Sequence, residues 1–254
     1  MKNLFDVKDK IVLITGSSRG IGYSIARGFA EAGSVVIING TSDESVQKTV
    51  GELKSKGYKI FGKPFDVTRQ TDIKECIDDI EKNIGPIEVL INNAGIHKRA
   101  PLEEMSLEDW DRVIEVNLSA VFIISQTVAR YMIKRAKGRI INISSINAEA
   151  ARPTIANYCA AKGGLKMLTK SMATEWGKYN ILTNAIGPGY FQTALTKPLA
   201  DDPDFDSWVR SEVPLKRWGN VDELTGAAIF LASEASSYVN GHTLYVDGGW
   251  QACL

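Results

Sequence analysis

Strict alternation between short β-branched runs and longer amphipathic stretches restricts the fold of this chain more than any other feature. The runs Ile11–Thr15, Val35–Asn39, Ile60–Phe65, Val89–Asn92, Arg139–Ile143, Leu182–Ile186 and Thr243–Val246 are short, apolar and bounded by Gly, Asn or Asp, as strands buried on both faces should be. Helical patterns lie between them, at roughly 20–32, 43–56, 70–84, 106–136, 157–178 and 222–233. Such alternation dictates a parallel sheet with helices on both faces, joined by right-handed crossovers. The expectation is therefore an α/β fold, one doubly wound parallel sheet of about seven strands in a single domain over residues 1–254. One stretch breaks the rhythm. Residues 187–220 hold Pro188, Pro198, Pro203 and Pro214, and an irregular segment of that length beside a strand end is expected to be a substrate lid.

The charges balance, with 30 Lys and Arg against 30 Asp and Glu, so no global field draws in nucleic acid or an anionic membrane. Neither partner is expected: no apolar run reaches the ~18 residues of a span, and the charged start Met1–Asp9 is not of signal-peptide type. Cys76, Cys159 and Cys253 form no Cys-x-x-Cys pair, which argues against a disulfide framework or zinc knuckle and suits the reduced cytoplasm. His97 and His242 stand far apart in the chain; both read as structural, and no metal site is expected. These exclusions leave a small-molecule partner.

The turn Thr15-Gly16-Ser17-Ser18-Arg19-Gly20-Ile21-Gly22 follows the first strand and opens the first helix. Gly16 permits the tight turn, Gly20 lets backbone approach a phosphate, and Gly22 lets helix pack on strand, in the manner of a Rossmann-type dinucleotide site. The amides at the helix start, through Ile21, then face a pyrophosphate. Sites that prefer NAD place an acid after the second strand. Here Asn39-Gly40-Thr41-Ser42 stands instead. Asn39, Thr41 and Ser42 can donate to a 2′-phosphate, and Arg19 and Ser18 lie in the neighbouring turn, which favours NADP(H). Asp43 and Glu44 follow at once, where they suit a helix's first turn, and use of NAD(H) stays open.

Tyr158 and Lys162 are four residues apart in a helical stretch and share one face. A phenol of pKa ~10 becomes a usable base at neutral pH only when cations favour its ionised form. Lys162 is expected to help lower it and to hold the nicotinamide ribose, and Tyr158 to exchange the proton with an alcohol or ketone. Ser145, just past the strand ending at Ile143, can hold the substrate oxygen. Asn117 sits in mid-helix, where its propensity is poor; it is expected to kink the helix and bind a water that relays protons to Lys162.

With these residues on the page, the chain resembles the short-chain dehydrogenase/reductases over essentially its whole length. The glycine turn, Asp66-Val67, Asn92-Asn93-Ala94-Gly95, Asn117, Ser145, Tyr158-Cys159-Ala160-Ala161-Lys162, Pro188-Gly189 and Asp247-Gly248-Gly249 stand in family order. The resemblance implies a catalytic tetrad of Asn117, Ser145, Tyr158 and Lys162. It implies that Asp66, beside Val67, accepts from the adenine amino group, and that Asn93, Ala94 and Gly95 line the cofactor. Ile186, Pro188, Gly189 and Thr193 would contact its nicotinamide end. It further implies a homotetramer assembled through helices 106–136 and 157–178.

The stretches Gly95-Ile96-His97-Lys98-Arg99, Gly187 to Thr193, Arg217-Trp218-Gly219 and Tyr238 to His242 resemble family members that act on sugar acids, which implies D-gluconate and 5-keto-D-gluconate as the alcohol and ketone. A substrate carboxylate calls for a fixed guanidinium. Arg99 and Arg152 both follow motifs that put them near the crevice, and Glu149 can accept from sugar hydroxyls; each also reads as a solvated surface charge. The alternatives are another polyol or sugar dehydrogenase of the family, or a 3-oxoacyl-carrier-protein reductase, for which the basic cluster Lys134, Arg135, Lys137 and Arg139 would dock an acidic carrier.

Overall fold

The apolar runs pair as a seven-stranded parallel sheet whose strands, named by their first residues, lie in the order Ile60, Val35, Ile11, Ile87, Gly138, Ile181, Thr243. The computed structural model describes residues 3–194 and 196–253. The strands are β1 (Ile11–Ile14), β2 (Val35–Ile38), β3 (Ile60–Gly62), β4 (Ile87–Asn92), β5 (Gly138–Ile143), β6 (Ile181–Pro188) and β9 (Thr243–Val246). All four residues of β1 are buried, because helices cover both faces. β3 stops short of the expected Phe65. Pro64 has no N–H for a ladder, and the chain instead returns to β2 through Lys63 N to Ile38 O and Phe65 N to Gly40 O, at 2.9 and 3.1 Å.

The crossover helices are α1 (Gly20–Glu31), α2 (Asp43–Ser55), α3 (Gln70–Asn83), α4 (Leu107–Ile114), α5 (Ala120–Arg135), α6 (Ala156–Trp176) and α9 (Glu223–Ala232). One core lies under α1, α2 and α9, with Ile25, Phe29, Leu53 and Leu231 against Val12, Ile14 and Val36. A second lies on the other face, with Ile73, Ile77, Ile124, Val128 and Met132 against Leu13, Ile37 and Leu90. The chain leaves β1 towards β2 and β3, then returns to place β4 on the other side of β1. That reversal is the switch point, and it opens a crevice at the strands' carboxyl ends.

The expected single helix 106–136 is two α-helices joined by a π-helical turn, Glu115–Ser119. The run Leu107–Arg135 is long and apolar enough to cross a membrane by length and composition, with half of its apolar window buried. Asn117, Ser119, Ser125, Gln126 and Thr127 interrupt it, so it holds no contiguous apolar run of the length of a span. Its buried side chains, Val116, Ala120, Ile124, Val128 and Met132 among them, are part of the second core.

The stretch 187–220 is more ordered than its prolines suggest. It forms β7 (Phe191–Gln192), α7 (Lys197–Ala200), α8 (Pro203–Glu212) and β8 (Gly219–Asn220), with β7 and β8 paired in parallel. Asp202 caps α8 by accepting from Asp204 N at 3.1 Å. Trp218 Nε1 donates to Asp206 Oδ1 at 2.8 Å. Val209, Val213 and Trp218 bury themselves with Tyr190, Phe205 and Trp250 as a small core of their own.

Candidate active site

The glycine turn is built from its glycines outward. Gly16 has φ +62, a left-handed conformation that favours glycine. A Cβ on Gly22 would fall 2.5 Å from Gly16 O and 2.9 Å from Ser17 Cα, so the start of α1 can pack there only without a side chain. Asn93, just past β4, pins the turn by donating from Nδ2 to Thr15 O at 2.9 Å and Gly16 O at 3.0 Å. Thr15 Oγ1 accepts in return from the amides of Asn93 and Ala94. No side chain caps α1, and its first turn carries no acid. Its first backbone bond is Tyr23 N to Arg19 O at 3.2 Å, so the amides of Gly20, Ile21 and Gly22 are free donors. A Cβ on Gly20 would meet nothing within 4 Å. Open space in front of uncapped amides is what a pyrophosphate requires.

The adenosine side is settled less as expected. Asn39 is buried, and its side chain is fully committed: Nδ2 donates to Lys63 O and Phe65 O, both at 3.1 Å, and Oδ1 accepts from Gly16 N at 3.1 Å. It therefore braces the glycine turn and has no donor left for a 2′-phosphate. Ser42 caps α2, accepting from Ser45 N at 3.3 Å. Thr41, Ser42 and Arg19 are exposed around that helix start. Ser18 lies beside them; a Cβ on Gly40 would come 3.1 Å from Ser18 Oγ. Asp66 Oδ1 takes both the amide and the hydroxyl of Thr68, at 2.9 and 2.8 Å, so Oδ2 remains to accept. Burial raises the Asp66 carboxyl, but the Thr68 bonds and the charges of Arg112 and Arg69 outweigh it and hold the group below its usual value. Val67 next to it is buried.

The tetrad residues come together where α6 starts against β5 and the π turn. Asn157 fixes that start: its Oδ1 accepts from Tyr158 N at 2.7 Å, and its Nδ2 donates to Asp109 O at 3.3 Å. Lys162 Nζ lies 5.5 Å from the Tyr158 ring centroid and donates to Ile143 O at 2.7 Å. Asn117 sits in the π turn, fully buried. Its Nδ2 donates to Ile96 O and Val113 O, both at 3.0 Å, while its Oδ1 has no partner. The π turn interrupts the regular helical ladder at this residue, and the free Oδ1 suits a bound water. Gly95 leaves room for it, since a Cβ there would come 2.7 Å from Asn117 Oδ1. Ser145, at the end of β5, accepts from Asn147 N at 3.1 Å. Its hydroxyl also favours the ionised form of Tyr158.

The electrostatics depart from the sequence expectation. Burial pushes the Tyr158 phenol up to about 12 and Lys162 down to about 8. Both groups are driven towards neutrality because both lose water, so Lys162 alone does not make the phenol acidic. His97, expected to be structural, stacks its ring on Tyr158 with centroids 3.7 Å apart and planes at 28°. Burial, then the charges of Arg99 and Lys162, push its imidazole down to about 4. Nothing local in the sequence signals this pairing of residues 61 positions apart.

Of the expected substrate contacts, Arg99 is exposed and Arg152 half-buried, and the charge of one acts on the other. Burial and then the Arg152 charge hold Arg99 below its usual value, and no carboxylate is among the groups acting on it. Arg152 Cζ lies 4.2 Å from the Phe205 ring centroid and 5.4 Å from that of Trp208, both on α8. Glu149 is drawn elsewhere: its Oε1 accepts from Lys166 of α6 and Tyr245 of β9. Pro188 ends β6, and Gly189 N donates to Val246 O at 3.0 Å. Thr193 shares a turn with Thr196, its N bonded to Thr196 Oγ1 at 2.9 Å. Among the described residues, no three His, Cys, Asp or Glu side chains converge on a metal position.

The sequence pattern of the family described as Enoyl-(Acyl carrier protein) reductase matches residues 16–251. A gluconate 5-dehydrogenase of Gluconobacter oxydans is 48% identical over 97% of this chain and 96% of its own length. A 2-dehydro-3-deoxy-D-gluconate 5-dehydrogenase of Formosa agariphila is 46% identical over 99% of this chain and 96% of its own. Among solved structures, a gluconate 5-dehydrogenase from Burkholderia cenocepacia in complex with NADP and tartrate superposes with TM-score 0.96 at 47% identity, covering 99% of this chain and 98% of that one.

Proposed function

Because the chain belongs to the short-chain dehydrogenase/reductase family of NAD(P)-dependent oxidoreductases acting on CH–OH groups, we propose that it interconverts D-gluconate and 5-keto-D-gluconate with NADP(H). The observation that carries the substrate class is that the charge of Arg152 acts on Arg99 while no carboxylate does. A guanidinium without a counter-charge suits an anionic group on the ligand. The names of the Gluconobacter and Formosa relatives, both 5-dehydrogenases of a sugar acid, support the same class.

The cofactor reading rests on the free amides of α1 and on Arg19, Ser18, Thr41 and Ser42, exposed or half-buried around the start of α2, with no acid at the end of β2. The NADP held by the Burkholderia relative supports it; NAD(H) is the second choice. Gly16 and Gly20 to Gly22 would take the pyrophosphate, Asp66 with Val67 the adenine, and Asn93 to Gly95 the middle of the molecule. Lys162 would take the ribose, with Pro188, Gly189 and Thr193 at the far end. When bound, the nicotinamide supplies or accepts the hydride and, oxidised, adds a positive charge beside the phenol.

The chain's own residues then divide the work. A phenol at about 12 is protonated at neutral pH, ready to give its proton to a ketone oxygen held by the Ser145 hydroxyl. The proton returns to Tyr158 through Lys162 and a water on Asn117 Oδ1. Segment 187–220 acts as a lid whose α8 rests on Arg152. Leu107 on α4, Phe122 on α5 and Met167 on α6 are exposed apolar residues that suit assembly of a homotetramer, and three free thiols suit the cytoplasm.

Reduction of an acyl thioester on an acidic carrier has less support. Three of the four cations in its docking cluster already have carboxylate partners, Arg135 in Glu81, Lys137 in Glu88 and Arg139 in Glu234. The test is kcat/KM for 5-ketogluconate against an acetoacetyl thioester, with NADPH. Preference for the sugar acid is expected, and preference for the thioester refutes the reading.

A further inference from the structure

We propose that His97 is a positioning residue for Tyr158: a neutral aromatic plate that fixes the plane of the phenol and so the aim of its hydroxyl. This rests on the reading of Tyr158 as the acid that protonates the ketone. The two rings lie 3.7 Å apart at 28°, a face-to-face contact that leaves the phenol little freedom to swing.

The plate is itself held at both ends. Ile96 O, the carbonyl just before His97, accepts from Asn117 Nδ2 at 3.0 Å. Ala100 N donates to Thr154 O at 3.1 Å, two residues before α6 begins. The segment carrying the imidazole is thus tied both to the π turn and to the approach to the helix that carries Tyr158. This gives the Asn117 amide a second consequence besides its free oxygen, because it fixes the backbone from which His97 projects.

The imidazole makes no competing attachment through Nδ1, which is buried without a hydrogen-bond partner. Its proton affinity is also held low by burial and by Arg99 and Lys162, so it stacks as a neutral ring at working pH. The observed contact is therefore one of shape, and an apolar ring of similar size should reproduce it. A misaimed acid loses rate without losing cofactor, because small displacements of a reacting group cost up to about 10²-fold.

The test compares His97→Ala with His97→Phe. In reduction of 5-ketogluconate, His97→Ala is expected to lower kcat by about 10- to 100-fold while KM for NADPH stays within about twofold; His97→Phe should recover most of that loss. Crystal structures of both variants add a readout free of substrate: the Tyr158 ring displaced in the alanine variant and in place in the phenylalanine variant. An alanine variant with near wild-type kcat and an unmoved ring overturns the proposal. So does a phenylalanine variant as impaired as the alanine one, which would assign the role to the imidazole nitrogen. Wild-type protein inactive on 5-ketogluconate would fault the substrate reading alone, and the ring positions would still decide this one.

Discussion

Replacing Gly22 with alanine tests how the cofactor turn is held. The added Cβ would sit 2.5 Å from Gly16 O and 2.9 Å from Ser17 Cα, and closer still to Asn93 Nδ2. The Asn93 amide cannot simply swing away, because it donates to both Thr15 O and Gly16 O. Gly16 O cannot retreat either, since Gly16 is already at φ +62 and its amide is bonded to Asn39. Overpacking of this kind costs about 1–3 kcal/mol, and each lost hydrogen bond adds about 1 kcal/mol, so about 2–4 kcal/mol is expected in all. For a domain of this size that lowers Tm by roughly 5–15 °C. The free amides of Gly20, Ile21 and Gly22 belong to the displaced turn, so NADPH affinity should fall at least about tenfold. Thermal melts and a fluorescence titration with NADPH measure both. A melting point within about 2 °C of wild type together with unchanged affinity refutes this description of the turn.

Two further outcomes follow from the site's charges. Lys162 has its folded pKa lowered from 10.5 to about 8, so its ammonium destabilises the fold below that pH, and the cost, about 3 kcal/mol at most, is relieved as pH rises towards 10.5. Melts of wild type and Lys162→Met at pH 7 and 9.5 should therefore show wild type gaining on the variant at the higher pH; a pH-independent difference contradicts the burial of that charge. Arg19→Ala should weaken kcat/KM with NADPH by about 10- to 100-fold, the worth of a charge-assisted bond to phosphate, and leave NADH within about threefold; equal losses on both would remove Arg19 from the 2′-phosphate.

Most of the sheet was legible because strands buried on both faces leave unbroken β-branched runs, and the seven runs are the seven strands. The runs ending at Thr15 and Asn39 overshoot their strands by one residue each, and Pro64 explains the larger overshoot in β3. A departure from regular helix at Asn117 was legible from a residue type that fits a helix interior poorly, whereas its anchoring of Ile96 was not. Asn39 misled because an amide at a strand end reads equally as a ligand contact or a brace, and only three-dimensional partners decide. Glu149 was read as free for the same reason; its partners Lys166 and Tyr245 lie 17 and 96 residues away. The prolines of 187–220 masked α8, although Asp202-Pro203 ahead of it is a helix-start signal. The stack of His97 on Tyr158 left no trace in any local pattern. The direction of the Tyr158 shift depends on burial, which composition does not express.

The chemistry proposed for this site depends on a proton held by one phenol. Tyr158→Phe keeps the ring that His97 stacks on and removes only the hydroxyl. Steady-state reduction of 5-ketogluconate, measured beside NADPH binding, should show kcat down about 10²–10⁴-fold with cofactor affinity within about twofold. Turnover within a few-fold of wild type would mean that another group carries the proton.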